Sequence, residues 1–327
     1  MLYPIEPRAH TRTILARPYK LVGTAAIGKL AIRYAGRDRC NEGFPMNERL
    51  RTLGEEFWEF QLADNPTMAL MLGDHRFGHL HEDPSLETEN ATIASYKKFA
   101  AQAEAMDPST LTADEQVSRD VLIFDATTNA HGLEARSAEL SVNHVIGEQS
   151  MLPTEMQQLP IAKPEHAEAL LEKYEGIGRY FVEAAARLAQ GVEKGRTPIG
   201  LHAGKTVEQL DEILTSPIES DPMLAVQVPK DFSDDDTTRW KTDLASALAD
   251  HIRPGLKTYR DVIADKVLPE ARPDDRPGIC WLDDGDNIYQ NAIRKHTSLT
   301  HLTAEEIHQI GLDAIARLDE EYKELGA

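Results

Sequence analysis

From Ala167 to Leu188 the apolar residues keep a helical period without a break. Ala167, Leu170, Leu171, Tyr174, Ile177, Phe181, Ala185 and Leu188 fall on one face, with Pro164 suited to the first turn and Gly191 closing the run. A stripe this long has to be buried. Alternating, strand-like runs are scarce in this chain, so the partners that bury it must be other helices. Ala, Leu, Glu, Gln, Lys and Arg fill the remaining periodic segments, and these are good helix formers. The expected fold class is all-α: an elongated multi-helix bundle with little or no strand.

Other helices announce themselves in order. Leu50, Leu53, Phe57 and Phe60 form a stripe beginning after Met46, and Asn65-Pro66 starts a short helix that ends at Gly73. A helix is expected over 90–106. Thr112-Ala-Asp-Glu115 has the form of a capping box, leading a helix with Val117, Val121 and Phe124 inward. A loop then runs from Gly147 to Pro160, and Thr206 is read as the cap of a short helix ending at Leu214. Ser233 to Asp236 caps a long helix with Trp240, Leu244, Leu248 and Ile252 inward, and Leu256, Tyr259 and Ile263 continue its face. Pro254 must kink or restart that helix, because its ring clashes with the carbonyl four residues earlier. Thr303-Ala-Glu-Glu306 is a further capping box, opening a helix striped with Ile307, Ile310, Ala314, Ile315, Leu318, Tyr322 and Leu325.

Charge and cysteine content limit the function classes. The net charge is −20, while residues 1–45 carry a basic excess through Arg8, Arg12, Arg17, Lys20, Lys29, Arg33, Arg37 and Arg39. The rest is therefore strongly acidic and repels phosphate backbones, so no nucleic-acid partner is expected. No apolar run reaches the length of a membrane span, and Lys29 and Arg33 interrupt the patch Leu21 to Ile32 that a signal peptide would need. The expectation is a cytoplasmic protein with no membrane partner. Cys40 and Cys280 lie too far apart in sequence to suggest a metal or redox motif, and Cys280, in an apolar run, reads as an inert buried thiol. Residues 1–45, with Pro4, Pro7, Pro18 and Pro45 and no sustained period, read as an appended and disordered leader to a helical domain over 46–327.

The segment Gly278 to Ala327 carries a family resemblance. Gly285-Asp286, Tyr289, Arg294, His296-Thr297, then Leu302 to His308 with Gly311, is similar to a run in the middle of the bacterial family known as domain of unknown function 885. The resemblance extends back to about Met46. It implies that the chain is the N-terminal half of a larger, zinc-metallopeptidase-like helical fold, ending before the half that holds the metal. Full-length members resemble zinc peptidases with an HExxH-type helix, a motif that sets two imidazoles on one helical face with a Glu as general base. HExxH does not occur here, nor does a Gly-x-Ser-x-Gly elbow. No catalytic residue and no metal or cofactor site is therefore expected in this chain, zinc belonging only to full-length relatives. The resemblance also implies that Tyr289, Arg294 and His296 line a substrate cleft. Tyr289 and His296 share a face, with Arg294 offset; Tyr could donate to a tetrahedral intermediate and Arg could hold a carboxylate. A peptide is the implied substrate of the full-length form. Self-association through the last apolar stripe is a further expectation.

Three weaker patterns have plainer readings. Gly23 to Leu30 approaches a phosphate-binding loop, but Leu30 stands where Ser or Thr must hold magnesium. His75, His79 and His81 with Asp74, Glu82 and Asp83 are rich in ligand types, yet a loop with Gly73, Gly78 and Pro84 imposes no convergence, so a solvated loop is the plain reading. Glu305 and His308 have the spacing of a di-iron unit, but such sites need two of these units and two more glutamates. The competing class to a peptidase wall is a non-enzymatic helical scaffold or interaction protein.

Overall fold

The structure is a computed structural model that describes residues 47–326. The leader over 1–45 and the Gly23 to Leu30 pattern lie outside the described residues. The described residues are predominantly helical, with α1 at Glu48–Asp64, α2 at Pro66–Met71, α3 at Leu86–Glu104 and α4 at Ala113–Glu134. They continue with α5 at Glu148–Gln158, α6 at Pro164–Glu193, α7 at Gly200–Thr215, α8 at Asp234–Ala247 and α9 at Arg253–Val262. The last two are α10 at Gly285–Thr297 and α11 at Ala304–Gly326. A single isolated bridge between Ile199 and Arg272 is the nearest approach to strand pairing among the described residues.

The α6 stripe is the spine of the core. Ala167, Leu170, Tyr174, Ile177, Phe181, Ala185 and Leu188 are all buried and share one cluster with Trp240, Leu244, Leu248, Ile252, Leu256 and Tyr259. The polar ends of the buried aromatics are satisfied. Trp240 Nε1 donates to the Ala167 carbonyl at 2.9 Å, and the Tyr259 hydroxyl donates to the Ser141 carbonyl at 3.0 Å.

Pro254 has the predicted consequence, in a specific form. The helix widens into a π turn at Leu248–Ile252, where the Arg253 amide bonds to the Leu248 carbonyl, and α9 restarts with Pro254 in its first turn. A second π turn follows at Ile263–Val267. The widened backbone lies directly against α6. A Cβ on Gly255 would stand 2.4 Å from the Gly178 carbonyl oxygen, and one on Gly178 would stand 2.5 Å from that of His251. Two helices approach this closely only where neither carries a side chain.

Several expectations change. Thr206 does not cap α7; it is buried in the interior of a helix that starts at Gly200. The 147–160 segment folds as α5 rather than a loop, with Pro153 within it. On α4 the buried apolar residues are Leu122, Ala126 and Ala130, while Val117 and Val121 are exposed. Cys280 is also exposed. Both boxes at Thr112 and Thr303 form as expected.

A buried ionic network ties the bundle together away from the apolar core. Arg187 on α6 meets Glu89 on α3 at 2.7 Å, and Glu139 receives Lys194 at 2.6 Å and Arg196 at 2.8 Å. Arg196 also reaches Asp284, just before α10, at 2.6 Å. At the far end, α11 buries none of its residues. Most of its stripe is exposed, Ile315 by 58% and Tyr322 by 69%, while Ile307 and Ala314 are half-buried.

Candidate functional site

The acidic, His-rich loop between α2 and α3 sorts itself by hydrogen bonding. Asp74 pairs with Arg76, and Asp83 accepts from Ser85 and Thr88 ahead of α3. His75 stacks on His166 with ring centres 3.5 Å apart, and His79 is exposed. Only His81 and Glu82 turn inward, where the His81 side chain is 1% exposed. Gly176 on α6 makes room for it, since a Cβ there would lie 3.0 Å from the His81 Cβ.

Three elements bring further groups to this point. Glu82 caps the start of α2, accepting from the Thr67 amide at 2.9 Å and the Thr67 hydroxyl at 2.7 Å. Lys173 of α6, fully buried, donates to the same hydroxyl at 2.6 Å and to the Leu80 carbonyl at 2.8 Å. Glu148 opens α5. The preceding loop is fixed by Asn143, whose side chain accepts from the Val145 and Ile146 amides, and by Gln149, which donates to the Asn143 carbonyl. Gly147 is obligatory there, because a Cβ would stand 2.1 Å from that carbonyl oxygen. His81 then lies between two carboxylates, with Nδ1 3.0 Å from Glu82 and Nε2 3.8 Å from Glu148. The Nδ1 contact is close but poorly aligned, and neither ring nitrogen has a hydrogen-bond partner. The Tyr180 ring stands edge-on to the imidazole at 5.2 Å.

This setting separates the proton affinities of neighbouring groups. Burial pushes Glu148 up to about 7, helped by Glu155 and Glu82 and opposed by Lys173. Burial also raises Glu155. It would raise Glu82 too, but the His81 ring, the Lys173 charge and Thr67 outweigh it and hold Glu82 at about 2. Burial lowers Lys173 to about 8 against the pull of the three glutamates, and burial with the Lys173 charge lowers His81 against the opposing pull of Glu82. Carboxylates driven this far apart mark a site candidate.

A stability test follows for Glu148. Its folded value near 7 lies above the unfolded carboxylate value near 4.5, so the folded state holds its proton more tightly. Its contribution to stability is full below pH 4.5 and is lost as pH rises through 7. Denaturant titrations of the parent and Glu148→Gln at pH 5 and pH 7.5 should show the variant gaining relative stability at the higher pH. An unchanged difference would mean that Glu148 titrates normally.

The α10 residues have other surroundings. Tyr289 and His296 are exposed, while the Arg294 guanidinium lies over the Phe124 ring at 5.7 Å with its Nε buried and unpartnered. Glu305 and His308 are exposed on α11. Among the described residues, no three His, Cys, Asp or Glu side chains converge as metal ligands would. His81 with Glu82 and Glu148 does not suit zinc either, since each ring nitrogen faces a different carboxylate and the Lys173 ammonium adjoins the set.

An all-α bundle with a buried His–Glu–Lys cluster and an uncovered terminal helix defines the class. Residues 66–327 match the family described as "Bacterial protein of unknown function (DUF885)", and the chain belongs to that family. No curated protein matches the sequence. Among solved structures, "the putative lipoprotein from Colwellia psychrerythraea" is similar, with a TM-score of 0.71 at 17% identity. The match covers 83% of this chain and 49% of that one, so the chain spans about half the length of that relative. The likeness establishes a shared fold. Among the described residues no helix is long and apolar enough to cross a membrane.

Proposed function

We propose that this chain is the helical wall of a zinc-dependent, metallopeptidase-like hydrolase, shaping one side of a peptide cleft and inactive by itself. The observation that carries the reading is α11: an amphipathic helix inside the family match that buries none of its residues. A stripe of this length left in water calls for a covering partner. The half of the structural relative that this chain does not match is long enough to supply one. In this reading the metal ligands lie in sequence outside these 327 residues, and Tyr289, Arg294 and His296 on α10 face peptide. A cytoplasmic location rests on the interrupted patch from Leu21 to Ile32, whereas the name of the structural relative points to the cell envelope; fractionation of the source cells separates these.

The purified chain is expected to show no chelator-sensitive peptide hydrolysis, to bind an apolar dye and to self-associate on size exclusion. Replacing Ile315 and Leu318 with Asp should abolish most dye binding while changing stability by less than about 0.5 kcal/mol, since neither side chain is buried. Zinc-dependent hydrolysis by the 327-residue chain would overturn the proposal. A monodisperse monomer that ignores the dye would favour the scaffold reading.

A further inference from the structure

We propose that the gap between His81 and Glu148 is a binding site for a primary ammonium group. The inference stands on these side chains alone and holds whether or not the chain works within a peptidase. Nδ1 of His81 faces the Glu82 carboxylate at 3.0 Å, and in the neutral ring a carboxylate there favours the tautomer with the proton on that nitrogen. Nε2 is then a lone pair. It faces Glu148 Oε1 across 3.8 Å, a span too long for a hydrogen bond and one that sets two acceptors against each other. The His81 side chain is almost wholly buried with no hydrogen-bond partner at either ring nitrogen, and the Glu148 side chain beside it is 31% exposed. What is missing between them is a donor with more than one hydrogen to give.

A nitrogen about 2.8–3.0 Å from both acceptors spans that separation. The charge also fits. Glu82, Glu148 and Glu155 surround a single ammonium, Lys173, whose bonds already go to Thr67 and Leu80. Binding a cation would let Glu148 ionise. The Tyr180 ring, edge-on to the imidazole at 5.2 Å, offers an apolar surface to the carbon bearing the nitrogen. A guanidinium fits less well, because its planar fork prefers two parallel oxygens to one imidazole nitrogen and one oxygen. The carboxylate side of the gap reaches solvent, the Glu82 and Glu148 side chains being 30% and 31% exposed, while Nε2 itself is buried, so a ligand enters by turning the Glu148 side chain outward.

The probe is n-butylammonium chloride, compared with tetramethylammonium chloride and sodium chloride at equal concentration and pH 8, with thermal unfolding of the full chain as readout. Butylammonium should raise the midpoint saturably by about 2 °C at tenfold excess over its dissociation constant, while tetramethylammonium, which has no N–H, and sodium should not. Glu148→Gln should lose the rise while unfolding cooperatively. Should that variant fail to fold, the parent decides alone: its response must fall at least fivefold from pH 8 to pH 5.5, as Glu148 takes up its proton. An equal response to all three salts, a response kept in Glu148→Gln, or one independent of pH would each overturn the proposal.

Discussion

Gly255→Ala is expected to destabilise the protein by about 3 kcal/mol or more, at the upper end of overpacking effects. The added methyl would stand 2.4 Å from the Gly178 carbonyl oxygen and 3.1 Å from its carbonyl carbon. Both are backbone atoms in the middle of the longest helix, so no side-chain rotation relieves the clash. Relief requires α9 to move off α6, and that separation would strip contacts from Ile252, Leu256 and Tyr259 on one side and Ile177 and Phe181 on the other. The loosened helix is also the one that builds the candidate site, since Gly176 admits His81 and Lys173 bonds to Thr67. Gly54→Ala is the control. Gly54 lies inside α1 with nothing within 4 Å of the new methyl, so it should stabilise by about 0.5–1 kcal/mol. Urea denaturation of both variants gives the comparison. A Gly255→Ala protein within 1 kcal/mol of the parent would show that the crossing is looser than its geometry.

Two glycines of α6, Gly176 and Gly178, show where the sequence stops being legible. The α6 stripe can be read from its period alone, because eight apolar residues repeat a helical spacing that no other element could use. Gly176 and Gly178 within it look like a weakness, each costing up to about 1 kcal/mol in a helix interior. Their purpose appears only when a π turn and an imidazole arrive from other parts of the chain. Period also fails where two stripes overlap. On α4 the set Val117, Val121 and Phe124 is as regular as Leu122, Ala126 and Ala130, and only the packing against α3 and α10 chooses the second. At Thr206 the local letters of a capping box sit inside a longer helix that starts at Gly200, and the Thr206 hydroxyl is buried without a partner instead of capping. The His-rich loop was visible as chemistry but not as geometry. A loop has no period, so nothing in the letters distinguishes the buried His81 from the exposed His79. Glu148 is concealed for another reason: its helix follows a glycine and contains a proline, letters that a loop shares.

Glu139→Gln should be nearly as damaging as Glu139→Ala, each lowering stability by about 3–5 kcal/mol, the range for breaking a buried ion pair from one side. Glu139 is 1% exposed and collects three cations: Lys194 at 2.6 Å, Arg196 at 2.8 Å and, more distantly, Arg187 at 3.9 Å. Gln keeps the shape of the side chain, so any loss it causes is charge rather than packing. Arg187 would suffer most, being as buried as Glu139 itself and left to share Glu89 with Arg136. Lys194 is half exposed and can turn to water, and Arg196 keeps Asp284. The loss should therefore shrink when Arg187 is replaced by Met in the same chain. The double variant should be more stable than the sum of the two single losses allows, by at least about 1 kcal/mol, because the second change removes the cation that the first left uncompensated. Raising salt from 0.1 to 1 M should leave these differences almost unaltered, since screening acts weakly on pairs that solvent does not reach. Strict additivity, or a difference that salt abolishes, would place the network at the surface and remove it from the forces that lock α3, α6 and the start of α10 together.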